Sequence, residues 1–274
     1  MAFSLRVETL LEGLDFPEGP VFDDLGRLWL TELKSGNLCC WQPGGNLTRY
    51  AIGGNLNGLV LDNHGYAWFT NSLEGYIGRF NLNSHQAEPV LRAVDGQELI
   101  RPNDLIFDGL GNLLFSVHAD SRTEPIGYVA CLRPDGSAKK IAEGLYFPNG
   151  LGFWDEGQTL VLAETYRQRL WQGTWNAKSA EWTTPVILAE VGGKPGPDGM
   201  ALGADGYMYV AVYGAGQIKA IEPDGRIAAI YDLPGLNPTN CAFDPSGKLG
   251  LVVTEAERGL LLSLPGLGPG AGKL

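Results

Sequence analysis

Short apolar runs separated by an Asp/Gly turn recur along the chain and dominate its pattern of hydrophobic and polar positions. The first copy reads FPEGPVFDDLGRLWL (residues 16–30), with a polar cap, an apolar run, the turn and a second apolar run. Five further copies begin at residues 55, 101, 147, 196 and 238. Short runs of this kind bounded by Gly, Asn and Asp are typical of β-strands joined by hairpins. The chain is therefore predicted to be all-β, with no long helix.

The glycine of each turn gives the period of the repeat. Successive turn glycines are 39, 46, 46, 49 and 41 residues apart: Gly26, Gly65, Gly111, Gly157, Gly206 and Gly247. A period of about 40 to 50 residues is that of one four-stranded propeller blade. The six copies predict a six-bladed β-propeller with four-stranded blades, forming a single domain over residues 1–274.

The last repeat supplies only three strands, at residues 241–244, 249–254 and 260–264. The N-terminal segment SLRVETLL (4–11) alternates enough to form a strand and is similar in sequence to the outermost strands of later blades. We predict that this N-terminal strand joins the last blade and closes the ring, which removes an exposed sheet edge. The tail at 265–274 is rich in Gly and Pro and is expected to fray.

The third residue of each copy is a carboxylate or a carboxamide. Five of these residues stand eight positions before their turn glycine and the sixth stands seven before: Glu18, Asn57, Asn103, Asn149, Asp198 and Asn240. Because the innermost strand of every blade starts at the same end of the channel, the six side chains are predicted to form a ring about its axis. Hard oxygen donors with two formal negative charges suit Ca²⁺ or a similar divalent ion. The alternative is turn chemistry alone, since Asn and Asp also build tight turns.

The longer loop after the second strand of each blade returns to the end where the ring lies. These loops are expected to wall a pocket above the ring, with residues 31–32, 71–73, 118–122, 164–166, Tyr213 and Glu255 as candidates. The loop VHADSRTEPIG (117–127) is the longest and most polar of them. We interpret it as a flap that contacts the substrate.

Charge and composition argue against several classes of partner. The chain carries 20 Lys and Arg against 31 Asp and Glu, a net charge of −11, and shows no basic patch for nucleic acid or anionic membranes. No run approaches the ~20 apolar residues of a membrane span, and the start lacks the pattern of a secretory signal. The four cysteines show no metal-binding spacing and are expected to be free, mostly buried thiols. We expect a cytoplasmic protein, monomeric or weakly homo-oligomeric, whose partner is a small molecule.

Motifs of nucleophilic catalysis are absent from the sequence. There is no GxSxG, no phosphate loop ending in GK[ST], and the histidines His64, His85 and His118 cannot be assigned to a Ser/His/Asp set. The ring is therefore the main feature able to support chemistry.

The motifs FPEGP (16–20), RPND (101–104), FPNG (147–150) and PDG (197–199), in this order, resemble those of the SMP-30/gluconolactonase family. That family includes regucalcin-like proteins and is related to Drp35-like lactonases, and the resemblance covers nearly the whole chain. It implies one divalent cation at the top of the channel of a six-bladed propeller. Matched motif by motif, it implies metal contacts from Glu18, Asn149 and Asp198, with Asn103 as a further ligand or a contact through water.

The same resemblance implies roles in catalysis and substrate binding. Arg101 and Asn103 match positions implied to hold a sugar lactone, and Asp198 matches the proposed general acid/base. Sugar lactonases of the family often carry a GTM-type segment and a nearby Glu where this chain has VHAD (117–120), a departure that bears on the substrate and not on the metal site. His118 and Arg122, in this departing loop, are further candidates for substrate binding. Asp104 is a candidate carboxylate supporting its neighbour Asn103.

These observations predict a divalent-metal-dependent lactonase that opens a sugar lactone or another small cyclic ester. The cation, for which Ca²⁺ is favoured and Zn²⁺, Mn²⁺ and Mg²⁺ stay open, would polarise the carbonyl, and Asp198 or a ligand-bound water would take the proton from the attacking water. Three alternatives stay open. They are a phosphotriesterase-like hydrolase, a metal-dependent propeller with a non-hydrolytic biosynthetic role, and a non-catalytic calcium-binding protein.

Overall fold

Six antiparallel sheets of four strands surround a channel in the computed structural model, which describes residues 6–272. The innermost strand of each sheet packs against the innermost strands of the two neighbouring sheets, and the sixth packs against the first. The prediction of an all-β six-bladed propeller with four-stranded blades is confirmed.

In blades one to five the strands follow the chain from the channel outward. Blade one comprises β2 (Pro17–Phe22), β3 (Leu28–Glu32), β4 (Asn37–Trp41) and β5 (Leu47–Ala51). Blade two comprises β6 (Leu56–Leu61), β7 (Tyr66–Asn71), β8 (Tyr76–Asn81) and β9 (Ala87–Leu91). Blade three comprises β12 (Pro102–Phe107), β13 (Leu113–Val117), β14 (Gly127–Leu132) and β15 (Ala138–Leu145). A small hairpin, β10 (Ala93–Val94) and β11 (Gln97–Glu98), joins blades two and three.

The second half of the ring repeats this order. Blade four comprises β16 (Pro148–Trp154), β17 (Thr159–Glu164), β18 (Arg169–Asn176) and β19 (Glu181–Glu190). Blade five comprises β20 (Gly196–Leu202), β21 (Met208–Tyr213), β22 (Gln217–Ile221) and β23 (Ile227–Asp232). Blade six comprises β24 (Pro238–Phe243), β25 (Leu251–Glu255), β26 (Leu260–Leu264) and β1 (Glu8–Leu11). Helical structure in the described chain is confined to two 3₁₀ turns, Asp155–Gly157 and Thr165–Arg167, and none of its helices has the length and apolar character needed to cross a bilayer.

The N-terminal strand closes the ring as predicted. Glu8 pairs with Ser263 and Thr9 with Leu262, which makes β1 the outermost strand of the last blade. The strand begins at Glu8, later than expected, and the first two positions of the predicted strand, Ser4 and Leu5, lie outside the described residues.

The expectation that the C-terminal tail frays is wrong as far as residue 271. The N–H of Ala204 donates to the carbonyl of Pro269 at 2.9 Å, and the N–H of Ala271 donates to the carbonyl of Leu202 at 2.9 Å. These bonds dock the tail on the innermost hairpin of blade five, so glycine and proline content alone was a poor guide to order. Lys273 and Leu274 lie outside the described residues.

Apolar side chains fill the spaces between neighbouring blades. Between blades three and four, for example, Leu114 and Val129 share one buried cluster with Leu160 and Trp175. Because both faces of a blade are covered in this way, its middle strands are apolar on both sides. The polar side chains that remain buried are therefore concentrated along the channel and at the strand ends.

Candidate functional site

The six predicted ring residues are all buried on innermost strands. They are Glu18, Asn57, Asn103, Asn149, Asp198 and Asn240, each between 3% and 9% exposed. Every innermost strand also breaks its register with the second strand at this point, for instance between Glu18 and Val21 and between Pro148 and Leu151. A bulge of this kind bends a strand and redirects its side chains. The same irregularity in all six blades therefore gives the ring positions a common orientation.

Glycine follows the ring residue in four blades because the next blade lies very close. A Cβ on Gly150 would stand 2.2 Å from the carbonyl oxygen of Asp198, and a Cβ on Gly199 would stand 2.0 Å from Cγ of Asn240. A Cβ on Gly58 would stand 2.7 Å from Cα of Asp104. The spacing between blades at the ring is thus set by the absence of a side chain.

Buried hydroxyls join neighbouring blades at the same height, a feature that the sequence analysis missed. The Oγ1 atoms of Thr31, Thr70, Thr165 and Thr239 donate to the carbonyl oxygens of Asn57, Asn103, Pro197 and Pro17 at 2.6, 2.5, 2.7 and 2.7 Å. The sequence signal was a Thr at or near the end of the second strand in several blades. These bonds hold the innermost strands, and with them the ring residues, in a fixed register.

Negative charge accumulates at the ring without a basic partner. Burial, and then the charges of Asp198 and Asp104, raise the pKa of Glu18 well above its usual range. Burial and the charge of Asp104 likewise raise the pKa of Asp198, and burial raises the pKa of Asp104 to about 6. Among residues 6–272, no Lys or Arg forms an ion pair with any of these three carboxylates. The three carboxylates therefore oppose one another's ionisation.

The four ring amides differ in how much of their hydrogen-bonding capacity the protein uses. Asn149 donates to Oγ1 of Thr165 at 3.2 Å and also bonds the carboxylate of Asp198. Asn240 is engaged at both ends, because its Oδ1 accepts from the N–H of Cys241 at 2.8 Å and its Nδ2 donates to Asp104. The side chains of Asn57 and Asn103 make no hydrogen bond within the described chain. Asn103 and Asn149 thus keep an oxygen for a ligand, whereas Asn240 does not.

Four residues predicted to wall the pocket serve as anchors inside their own blades. The side chains of Glu32, Asn71, Glu164 and Glu255 are at most 1% exposed and accept hydrogen bonds from the N–H groups of Asp15, Asn55, Tyr146 and Asn237, at 3.3, 3.2, 2.7 and 3.0 Å. Each anchor holds the segment that enters its own innermost strand. The prediction was wrong for these residues because the backbone N–H groups opposite them could not be located from the sequence.

Blades three and five break the anchor pattern. The residues that occupy the anchor position there are Val117 and Val212, opposite Pro102 and Pro197. In both blades the next residue is large and polar, His118 or Tyr213. The exception in the repeat therefore identifies two loops that are free to carry other functions.

His118 lies in an aromatic and cationic cluster between blades three and four. Its ring stacks on Phe147 with centroids 3.9 Å apart and an interplanar angle of 18°. The guanidinium of Arg122 lies 5.8 Å from the ring of Phe147 and 5.6 Å from that of Tyr166. Burial, reinforced by the charge of Arg101 and by that of Arg122, lowers the pKa of His118 to about 3. The predicted substrate contacts His118 and Arg122 are thus brought together with Arg101.

Tyr213 lies close both to the ring carboxylates and to Tyr166 of the His118 cluster. Burial, followed by the charges of Asp198 and Glu18, raises the pKa of its hydroxyl to about 12. The phenol therefore stays protonated at neutral pH beside the two ring carboxylates and can donate a hydrogen bond. Tyr213 was predicted from the sequence as a pocket-wall residue without a role. Phe147 was not predicted, although Phe stands at the same motif position in blade one.

The donor set at the ring suits a hard cation. In the described chain no group of three or more His, Cys, Asp or Glu side chains could hold a metal ion by itself. A cation at the ring would therefore depend on amide oxygens beside the carboxylates of Glu18 and Asp198. Oxygen-only coordination is preferred by Ca²⁺ and Mg²⁺, whereas Zn²⁺ and Cu²⁺ favour nitrogen and sulfur ligands.

A separate cavity of about 1020 Å³ opens at the opposite end of the channel. Its walls come from residues that follow the ring along the innermost strands, such as Val60, Ile106 and Phe153, and from the C-terminal Gly270. None of the six ring residues lines it. We place the candidate site at the ring, because the buried charges and the unpartnered amides lie there.

Comparison with known proteins agrees with this fold. The family model described as SMP-30/Gluconolactonase/LRE-like region matches residues 16–257. A pentonolactonase of Haloferax volcanii is 24% identical over 242 residues, covering 87% of this chain and 81% of its own length. A solved structure of a luciferin-regenerating enzyme superposes with a TM-score of 0.87 at 19% identity, over 98% of this chain and 97% of its own. A gluconolactonase from Xanthomonas campestris gives a TM-score of 0.84 at 23% identity, over 95% and 89%.

Proposed function

The chain belongs to the SMP-30/gluconolactonase/LRE-like family, and from this premise we propose that it hydrolyses a lactone with the help of one divalent cation bound at the ring. Relatives that carry the names pentonolactonase and gluconolactonase support the reaction class, which is the opening of a sugar lactone or another small cyclic ester. The ring offers the chemistry that such a reaction requires.

One observation carries the proposal, namely the convergence of Glu18, Asp104 and Asp198 with no basic partner among the described residues. Buried carboxylates that face one another are costly, since each loses hydration and repels the other. A divalent cation would remove this cost, and amide oxygens that the protein leaves unpartnered complete the donor set. Turn chemistry alone does not account for buried, opposed carboxylates.

We propose Glu18, Asn103, Asn149 and Asp198 as the residues that hold the cation. Ca²⁺ fits this set best because all of its donors are oxygens and only two of them are charged. When bound there, such a cation would polarise the lactone carbonyl and stabilise the negative charge that develops on its oxygen.

The chain's own residues would orient the reactants and move the proton. Asp198 is the proposed general base, and the neighbouring amide of Asn149 acts to lower its pKa against the effect of burial. Tyr213 is placed to donate a hydrogen bond to a substrate oxygen beside Asp198. The proposed substrate-binding pair is Asn103 and Arg101. The amide of Asn103 is unpartnered at the ring, and Arg101 lies at the pocket rim.

The test is hydrolysis of D-glucono-1,5-lactone by the purified protein, with and without a chelator. The reaction is monitored through the proton that each hydrolysed lactone releases. We expect turnover that is lost on chelation and restored by added Ca²⁺. Glu18→Gln, assayed alongside, should need more Ca²⁺ for the same rate. Ca²⁺ binding without turnover of any lactone would favour the non-catalytic calcium-binding alternative, and chelator-insensitive turnover would contradict the role of the cation.

A further inference from the structure

Hydrogen-bond donors without acceptors collect at the pocket rim between blades three and four. Arg101 is exposed, and its guanidinium forms no ion pair or hydrogen bond with any described residue. Its backbone has a φ of 55°, and Phe16 and Phe147, at the same motif position in blades one and four, have φ values of 62° and 59°. The left-handed conformation therefore belongs to the repeat, and it brings the side chain of Arg101 to the rim at the position that Phe147 occupies in blade four.

His118 supplies a second unpartnered donor, from a side chain only 6% exposed. Its Nδ1 accepts a hydrogen bond from the backbone N–H of Asp120 at 3.0 Å. The neutral imidazole therefore carries its proton on Nε2, which has no acceptor within the described chain. Among the described residues the buried side-chain atoms without a partner are the hydroxyl of Tyr128 and Nε1 of Trp182, so Nε2 of His118 stays accessible and can donate to an acceptor on a ligand.

The loop around His118 is held in one geometry. Phe147 stacks beneath the imidazole, and its backbone N–H donates to Oγ of Ser121 at 2.7 Å. Arg122 is fixed by an ion pair with Asp120, with 2.9 Å between Nε and Oδ1, and by its contacts with the rings of Phe147 and Tyr166. His118 and Arg122 are therefore preorganised, which reduces the entropy lost when a ligand binds, whereas the side chain of Arg101 is held by no hydrogen bond or ion pair within the described chain.

Arg101 is the guanidinium of this sector that has no carboxylate partner within the described chain. Arg122 pairs with Asp120, whereas Glu124, in the same loop, forms no ion pair with either guanidinium. The formal charges of the two Arg and the two acidic side chains cancel, but one guanidinium stays free to bind an anionic group of a ligand. In a chain with a net charge of −11, such an unpaired guanidinium at the pocket rim stands out.

We propose that this rim cluster (Arg101, His118, Arg122 and Phe147) selects a lactone that carries a carboxylate. The carboxylate accepts from the two guanidiniums and from Nε2–H of His118, while the lactone ring lies toward the cation site. The unpaired guanidinium of Arg101 supplies the charge-assisted hydrogen bond that a carboxylate requires. The inference rests on the lactonase function proposed above and names its substrate class.

The experiment compares D-glucaro-1,4-lactone with D-glucono-1,4-lactone, two lactones that differ in a terminal carboxylate against a hydroxymethyl group. We expect kcat/KM to be at least about tenfold higher for the acid lactone at low salt, as for a charge-assisted hydrogen bond. Added salt should narrow this preference. Arg122→Gln should raise KM for the acid lactone by about tenfold or more and raise KM for the neutral lactone much less, whereas Arg122→Lys should keep much of the preference. Arg226→Gln, on the outer hairpin of blade five, is the matched control.

Failure of the inference and failure of the lactonase function give different results. Equal kcat/KM for the two lactones, or an equal loss for both in Arg122→Gln, would overturn the substrate class and leave lactone hydrolysis in place. If neither lactone is hydrolysed in the presence of Ca²⁺, the lactonase function fails, and calorimetric binding of the same two lactones then decides the inference. Tighter binding of the acid lactone that depends on Arg122 supports it, and equal or absent binding overturns it.

Discussion

Asn240 of blade six donates a hydrogen bond from Nδ2 to Oδ2 of Asp104 in blade three, at 3.4 Å. Blades three and six are opposite one another in a ring of six, so this bond crosses the channel. Asp104 stands where four other blades have glycine after the ring residue, and a Cβ on Gly58 of blade two would stand 2.7 Å from its Oδ1. The bridge therefore places a third carboxylate close to the two ring carboxylates.

Replacing Asp104 with Asn tests whether that carboxylate serves the cation or the fold. The variant keeps the size of the side chain and an acceptor for Asn240, but removes one negative charge near Glu18 and Asp198. We expect the metal-free protein to become more stable by about 1 to 3 kcal/mol, the range for a buried polar group without compensation. The gain in stability on adding Ca²⁺ should shrink. Thermal unfolding with chelator and with Ca²⁺ measures both.

The control for that variant is Asp108→Asn, at the far end of the same blade. Asp108 accepts hydrogen bonds from the side chains of Asn112 and Trp175, so its replacement should destabilise the protein with or without Ca²⁺. If Asp104→Asn lowers the stability of the metal-free protein as Asp108→Asn does, Asp104 is a structural acceptor and not part of the charge cluster.

Adding one methyl group at Gly150 tests how tightly the ring spacing is set. Its Cβ would stand 2.2 Å from a backbone oxygen, which cannot move without shifting blade five. We expect Gly150→Ala to destabilise the protein by about 1 to 3 kcal/mol and to lower activity, because Asn149 and Asp198 would move apart. Gly109→Ala, whose Cβ would meet no atom within 4 Å, should leave stability within about 0.5 kcal/mol. Urea unfolding of both variants checks this, and equal midpoints would contradict the packing argument.

The sequence predicted the ring because a repeat places equivalent residues at equivalent positions. Glu18, Asn103, Asn149 and Asp198 could be located from their spacing to the turn glycines alone. The loop residues were harder, since Glu32 and Glu164 have the same polarity as pocket residues and differ only in the backbone N–H that each faces. That partner is fixed by the tertiary structure and leaves no local signal. The informative sequence feature was the exception, Val117 and Val212, where the repeat lacks a polar anchor.

His118 makes stability depend on pH in a definite direction. The pKa of His118 is about 3 in the folded protein against 6.5 for the free side chain. Between these pH values the unfolded state therefore binds a proton that the folded state does not bind. Its contribution is fully present above pH 6.5, falls as the pH drops through the window from 6.5 to 3, and is constant below. At pH 5 the loss amounts to about 2 kcal/mol.

The comparison that isolates this effect is His118→Phe, which keeps an aromatic ring against Phe147 but has no titrating group. At pH 7.5 the variant should be less stable than the native protein, since the N–H of Asp120 loses its acceptor. At pH 5 the difference in free energy of unfolding should shrink by about 2 kcal/mol, because only the native protein is penalised. If the difference in free energy of unfolding between the variant and the native protein is the same at both pH values, the pKa of His118 is not lowered by folding.

The separate roles of Glu18 and Asp198 can be resolved by adding metal. Each supplies one of the two formal charges proposed to hold the cation, so Glu18→Gln and Asp198→Asn should both weaken Ca²⁺ binding. Asp198 is also the proposed base, and its loss removes a proton acceptor worth roughly 10²- to 10⁴-fold in rate. At saturating Ca²⁺ the Glu18→Gln variant should therefore recover to within about tenfold of native activity, while Asp198→Asn should stay at least a hundredfold below it. Rates across a Ca²⁺ titration, with calorimetric binding of Ca²⁺ to each variant, separate affinity from chemistry. Full recovery of both variants would limit Asp198 to holding the cation.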